Sequence, residues 1–290
     1  MRPSIKAQWQ LHFCVFLWGF TSILGKLITL SALALVWWRM LFVVAPLLLF
    51  PRVWRGLRGL SPRLVLGYGG IGVVLTVHWV TFYAAIKLAN ASIAATSIAL
   101  APALLAVVEP LVTRRPFDPR ELGLGVAAVP GVAMVVGGAP SGMRGGVLVG
   151  GLSALCVAVF GACNKRLVRE ADPWTITCIE LGAGPIVLSL LAPLLWRSGP
   201  VLPVPGLRDA VLLVILAIVC TLLPFVLSLV ALRHMSAFTA QLVVNLEPVY
   251  TILFAVLLLG EQHQLGWAFY AGVAIILGVA LSQPLVRRAA

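Results

Sequence analysis

The chain has 290 residues; 61% are hydrophobic and 10% charged, with 21 Lys and Arg against 9 Asp and Glu. A soluble domain is about 45–50% apolar and about 25% charged, and a globule of this length cannot hide so much apolar side chain. Soluble enzymes, secreted domains and disordered chains are therefore excluded, and the formal charge of +12 does not point to nucleic acid, because the basic residues sit in short links between apolar runs.

Crossing a bilayer takes about 20 helical residues. In chain order, spans are expected near 8–30, 32–50, 64–87, 90–113, 119–138, 145–167, 173–196, 207–233, 236–259 and 265–286. The clearest breaks are Pro51 and Pro62 around Arg52, Arg55 and Arg58; Arg114-Arg115-Pro116; Gly137-Gly138; Asp172-Pro173; and Pro200, Pro203 and Pro205. The expected fold is an all-α polytopic membrane protein with ten transmembrane helices. Arg2 and Lys6 precede an apolar run longer than a signal-peptide core, so no removable leader is expected. Counted by alternate sides, 15 Lys and Arg fall on one side and 5 on the other, with Arg39 inside a span completing the 21. That asymmetry predicts a multi-pass protein of a bacterial inner membrane with both termini cytoplasmic.

The chain repeats itself. A shift of 146 aligns Ala85 with Ala231, Lys87 with Arg233, Ala91 with Ala237, Ala94 with Ala240, Leu100 with Leu246 and Pro102 with Pro248. A shift of 147 aligns GVAAVPGVA from Gly125 with GVAIILGVA from Gly272. The units are expected at 1–140 and 141–290, with five spans each. A unit with an odd number of spans enters the membrane the opposite way the second time, so the halves are inverted repeats. Such halves give inward-open and outward-open states of similar energy, as alternating access requires.

The stretch FYAAIKLANASIAATSIALAPALLAVVEPL from Phe82 and its counterpart LVALRHMSAFTAQLVVNLEPVYTILFAVLLLGE resemble the EamA-like family of the drug/metabolite transporter superfamily. WGFTSILGKL from Trp18 and WRMLFVVAPLLL from Trp38 are similar to that family's first two helices. The resemblance implies two five-helix repeats, cytoplasmic termini and export of small metabolites. Asn164-Lys165 is similar to the YddG-type branch of aromatic amino acid exporters. Gly260-Glu261 after span 9 is matched in the first half by Arg114-Arg115, so the role of Glu261 is not expected to be duplicated.

Pro102 and Pro248 lie near the middles of spans 4 and 9. Each removes an amide donor and crowds the preceding turn. Paired breaks in two repeats point to a midplane binding site, or else to simple curvature. Glu247, beside Pro248, is costly at a helix centre; it either contacts a substrate amine or a coupling proton, or locks two helices together. Tyr250 shares its face. His78, near the middle of span 3, is a second proton-coupling candidate or a helix-to-helix hydrogen bonder. Trp79 and Tyr83 either stack on an aromatic substrate or pack. Trp18 and Ser22 are cavity candidates on span 1, whereas Trp37, Trp38, Trp54, Trp174 and Trp196 suit an interfacial belt. Arg39 either holds a substrate carboxylate or snorkels outward. Small-residue spacings at Ala127/Gly131 and Ala274/Gly278 read as close helix packing.

The five cysteines lie singly in apolar runs, and no Walker loop, HExxH or GxSxG occurs. No cofactor or metal is expected, and no catalytic residue. The reading is a secondary transporter exporting small metabolites, amino acids including aromatic ones, with the lipid bilayer and its small-molecule substrate as partners. The alternatives are an exporter of cationic drugs or polyamines, and an intramembrane enzyme.

Overall fold

The computed structural model describes residues 3–195, 201–263 and 265–288; within them the chain is helical and holds no β-strand. The expected tryptophan at position 196 lies outside the described residues. The helices of the first half are α1 (Pro3–Leu27), α2 (Ala32–Leu47), α3 (Pro51–Arg58), α4 (Pro62–Leu88), α5 (Ala91–Ser97), α6 (Ala101–Thr113), α7 (Pro119–Ala127) and α8 (Val129–Gly138). Those of the second half are α9 (Arg144–Leu167), α10 (Pro173–Leu195), α11 (Leu207–Ala217), α12 (Leu223–Leu232), α13 (Ala237–Val244), α14 (Glu247–Leu259) and α15 (Trp267–Arg288).

Six described segments are long and apolar enough to cross a membrane: Pro62–Leu88, Ala91–Thr113, Ser141–Leu167, Pro173–Leu194, Leu207–Leu232 and Ala237–Leu259. A seventh results if α2 and α3 are taken together, although α3 turns away from α2 by 92°. The link around Arg52, Arg55 and Arg58 is thus itself helical: Pro51 starts it, and its charges are exposed while Val53 is buried. The expected span 119–138 is two short helices that meet next to Pro130.

The breaks in spans 4 and 9 fall where the prolines require them. A 3₁₀ turn at Ile98–Leu100 separates α5 from α6, and Pro102 occupies the first turn of α6. Asn245 and Leu246 separate α13 from α14, and Pro248 occupies the first turn of α14. Proline is tolerated there because first-turn amides have no partner within the helix.

Packing follows the repeat. α4 lies along α9, as α12 lies along α1; α2 packs on α10, and α8 on α15. The last two pairs join equivalent helices of the two halves. At the α8–α15 crossing a Cβ on Gly131 would sit 2.7 Å from the Gly272 carbonyl oxygen, and one on Gly272 would sit 2.4 Å from the Gly131 carbonyl oxygen. The close approach uses Gly131 with Gly272. Gly278, expected to share in it, meets nothing within 4 Å.

Two carboxylates join the halves at opposite faces of the bundle. Glu261 accepts from the backbone N–H of Ala91 and of Ser92, both at 3.1 Å, and from the Ser92 hydroxyl at 2.7 Å. Glu109 accepts from the N–H of Ala237 at 3.0 Å and of Phe238 at 2.8 Å. The first turns of α5 and α13 are thereby capped by charge-assisted bonds. The expectation that the Glu261 role is not duplicated is therefore corrected. Arg114 (φ 57°) and Gly260 (φ 66°) both adopt the left-handed conformation at the ends of α6 and α14. Arg115 then stands where Glu261 stands in the second half, and it reaches back to Glu109 at 3.3 Å and to Glu121. The carboxylate has moved back into α6, and an arginine holds it.

Candidate functional site

Buried polar groups converge on one cavity walled by α1, α2, α4, α9, α12 and α13, with Ile98 and Glu247 added from the two breaks. The wall includes Asn164, Leu232 and Ala237, near the ends of their helices on the face that carries the N-terminus of α1. On the opposite face the way is filled. The Tyr83 ring lies against Gly25, where a Cβ would sit 2.3 Å from it. Asp209 accepts from the Thr29 hydroxyl at 2.6 Å and from its N–H, and Lys87 donates to the Ile28 carbonyl.

Arg39 is the inner anchor of the cavity. It is 1% exposed, and among the described residues no carboxylate lies within ion-pair distance of it. Its Nε donates to Thr221 Oγ1 at 2.7 Å, and its Nη1 donates to the Tyr83 hydroxyl at 2.7 Å. The guanidinium lies 3.7 Å above the Trp79 ring. Such a contact contributes about 2 kcal/mol when desolvated. Arg39 thus points inward. Thr221 reaches it from a π turn at Ile218–Leu222 between α11 and α12, where its hydroxyl also donates to the Leu216 carbonyl at 2.6 Å. π turns of this kind concentrate at functional sites. Pro224 follows closely and lacks the N–H that would continue a regular ladder.

The other candidates separate into two groups. Trp18, His78, Trp79 and Glu247 line the cavity with Arg39. Glu247 is partly exposed there, at the start of α14. His78 also joins helices: its Nδ1 lies 3.0 Å from the Ser153 carbonyl oxygen and 2.8 Å from Ser153 Oγ, which donates to the His78 carbonyl at 2.9 Å. A carbonyl oxygen can only accept, so Nδ1 carries a proton in this contact. Trp79 has one face taken by Arg39, so it positions the guanidinium.

Ser22, Tyr83 and Tyr250 are not in the wall. Ser22 is fully buried within the bundle, and Tyr83 sits behind Arg39 as its hydrogen-bond acceptor. Tyr250 packs its Cβ on Gly19 and its ring edge-on to Phe16, 5.6 Å away. It faces α1 because Thr251, one residue on, takes the buried position and donates to the Gly19 carbonyl. Pro102 and Pro248 are buried beside the cavity; their neighbours Ile98 and Glu247 line it.

Several wall residues were not expected in the cavity from sequence: Thr21, Phe82, Phe160, Phe225 and Gln241, and Asn164, which drew notice only through the family resemblance of Asn164-Lys165. Thr21 Oγ1, Asn164 Oδ1 and Gln241 Nε2 are buried without a protein partner. The signal was weak, because single Thr, Asn and Gln residues in apolar helices serve as helix glue as often as ligand contacts. Among the described residues no cluster of His, Cys, Asp or Glu could hold a metal.

A sequence profile of the EamA-like transporter family matches residues 8–137 and again 144–282. The chain belongs to the EamA-like transporter family. The two matches are the two repeats, and membership makes the protein a membrane transporter of small molecules. A solved structure, titled only as a crystal structure of a protein, is similar with a TM-score of 0.68 and 18% identity over 98% of this chain and 99% of that one. That likeness is one of fold. No match was found among curated proteins.

Proposed function

We propose that this EamA-like protein is a secondary transporter exporting small carboxylate-bearing metabolites, amino acids including aromatic ones, by alternating access across a bacterial inner membrane. Its ten spans form two inverted halves, divided near residue 140, with both termini cytoplasmic. The observation that carries the reading is Arg39: a buried guanidinium on the cavity wall whose protein partners are two neutral hydroxyls and an aromatic face. Among the described residues no carboxylate sits at ion-pair distance from it, and a buried cation not directly paired is costly. A substrate carboxylate supplies that charge in the geometry a guanidinium recognises best.

Glu247, partly exposed on the same wall, would take an amine, and Trp18, Phe82, Phe160 and Phe225 offer apolar and aromatic surface to the side chain. A cavity reaching the face of the α1 N-terminus is then cytoplasm-facing and loads cargo for export. The aromatic YddG-type assignment rests on this wall together with Asn164-Lys165. In that pair Asn164 lines the cavity, while Lys165 donates to the carbonyls of Leu232 at 2.9 Å and Met235 at 2.5 Å.

Counterflow of labelled phenylalanine into proteoliposomes, with and without a pH gradient, tests the reading. Accumulation beyond equilibrium supports it; entry no faster than into protein-free liposomes overturns it. Glu247 favours the second reading, a cationic drug or polyamine; in that case labelled spermidine accumulates and phenylalanine does not.

A further inference from the structure

Glu180 lies on α10, is fully buried, and has no part in the cavity wall. Its Oε2 accepts from Asn164 Nδ2 at 3.2 Å, and its Oε1 has no partner. Asn164 is 1% exposed, lines the cavity, and has its own unpartnered atom, Oδ1. The two orphaned atoms thus belong to one pair of side chains, and both are acceptors. Two acceptors cannot bond each other; one proton between them would let them. A carboxylic acid and a primary amide form a ring of two antiparallel hydrogen bonds, O–H to amide oxygen and amide N–H to acid carbonyl. With the proton absent, a carboxylate keeps a single long bond in a dry site, which is a costly arrangement.

The surroundings supply no cation in place of that proton. On α4, the Tyr68 hydroxyl donates to the Leu167 carbonyl at 2.9 Å, and Gly72 presses its Cα toward the Glu180 backbone, where a Cβ would sit 2.1 Å from the carbonyl oxygen. Cys163 on α9 is a free thiol. Arg39 on α2 is engaged by Thr221 and Tyr83, and Arg52 on α3 pairs with Asp172 at 2.5 Å. At the end of α12, Arg233 donates to the carbonyls of Val168 and Ala171. Among the described residues no ion pair reaches Glu180.

We propose that Glu180 and Asn164 form a proton-binding site behind the cavity wall, holding one proton between Glu180 Oε1 and Asn164 Oδ1, and that cargo contacting Asn164 releases it. This rests on the transport reading and deepens it by naming a coupling ion. Cargo that hydrogen-bonds the Asn164 amide withdraws Oδ1 from the acid, and the proton leaves to cavity water as Glu180 ionises. The site is separate from Glu247 and His78.

Two measurements on the full chain in liposomes test the proposal. The first is infrared spectroscopy of the protonated-carboxyl C=O stretch at neutral pH. A band is expected that is absent in Glu180→Gln and moves to higher frequency in Asn164→Ala, where the acid loses its amide partner. An identical spectrum for wild type and Glu180→Gln shows an ionised Glu180 and overturns the proposal, whether or not any cargo is moved. The second is accumulation of labelled phenylalanine under a pH gradient. Glu180→Gln is expected to equilibrate phenylalanine without concentrating it, whereas gradient-driven accumulation as in wild type overturns the coupling. Failure of the wild-type protein to move phenylalanine counts against the transport reading, and the infrared result still decides the proton site.

Discussion

Glu109 and Glu261 make the same bond at opposite faces of the bundle: each carboxylate accepts two backbone N–H groups from the first turn of the other half's broken span. The donor pairs, Ala91/Ser92 and Ala237/Phe238, are related by the 146-residue shift that aligns the repeats. The acceptors are not, since Arg115 occupies the register of Glu261. Spans 4 and 9 are thus tied to each other at both ends, and the freedom they have lies in their proline-marked middles.

Each cap is expected to matter for stability. Removing one leaves two buried amides unsatisfied, at about 1–3 kcal/mol for each, so Glu109→Ala and Glu261→Ala should each cost about 2–6 kcal/mol. The two sites share no partner, so the double variant should lose the sum to within about 0.5 kcal/mol. Thermal unfolding in detergent reads this directly; a Glu109→Ala variant as stable as wild type would mean that the α13 amides find other acceptors.

Arg114 is the one described non-glycine residue at positive φ, in the position that Gly260 fills in the second half. A left-handed side-chain residue costs roughly 1–2 kcal/mol. Arg114→Gly should therefore raise thermal stability by about 1 kcal/mol, less whatever the added backbone freedom of glycine takes back. A fall in Tm would show that the Arg114 side chain contributes more than its backbone costs.

The α8–α15 crossing separates two glycines that look alike in sequence. Gly272→Ala sets a Cβ 2.4 Å from a backbone oxygen, and backbone cannot swing aside. It should lower stability by about 1–3 kcal/mol, read as a clear fall in Tm, while Gly278→Ala should change stability by less than about 1 kcal/mol. Equal effects would place the closest approach elsewhere along the helix pair.

The proposed function gives Glu247 the amine end of the cargo. Glu247→Gln should weaken competition by phenylalanine in a counterflow assay and leave competition by hydrocinnamate, which lacks the amine, unchanged. A charge-assisted hydrogen bond contributes about 1.5–3 kcal/mol, which corresponds to roughly 10- to 150-fold in affinity. Equal losses for both compounds would assign Glu247 to helix packing.

Some of this was legible in the residues. Proline lacks a donor, so the breaks beside Pro102 and Pro248 could be located without coordinates, and a charge as deep as Arg39 had to be either a site or a snorkel. What excludes the snorkel is tertiary: Thr221 is brought to Arg39 by a π turn, and Tyr83 from a different helix, so the side chain points inward. Tyr250 looked like a partner of Glu247 by helical spacing, but spacing does not say which neighbour a face meets, and that face meets α1. The Glu109 cap was hidden because the motif position had changed to Arg115 while the carboxylate moved back along α6. Spacing arguments compare like positions, and this compensation crosses them.

The central claim is that Arg39 anchors a cargo carboxylate inside the cavity. The most direct measurement is competition against labelled phenylalanine in proteoliposome counterflow by hydrocinnamate and by phenethylamine, in wild type and in Arg39→Ala. In wild type both compounds should compete. In Arg39→Ala, hydrocinnamate should lose roughly 10- to 150-fold in potency, equivalent to about 1.5–3 kcal/mol, while phenethylamine competes nearly as before. Hydrocinnamate that competes equally well in both proteins would contradict the account.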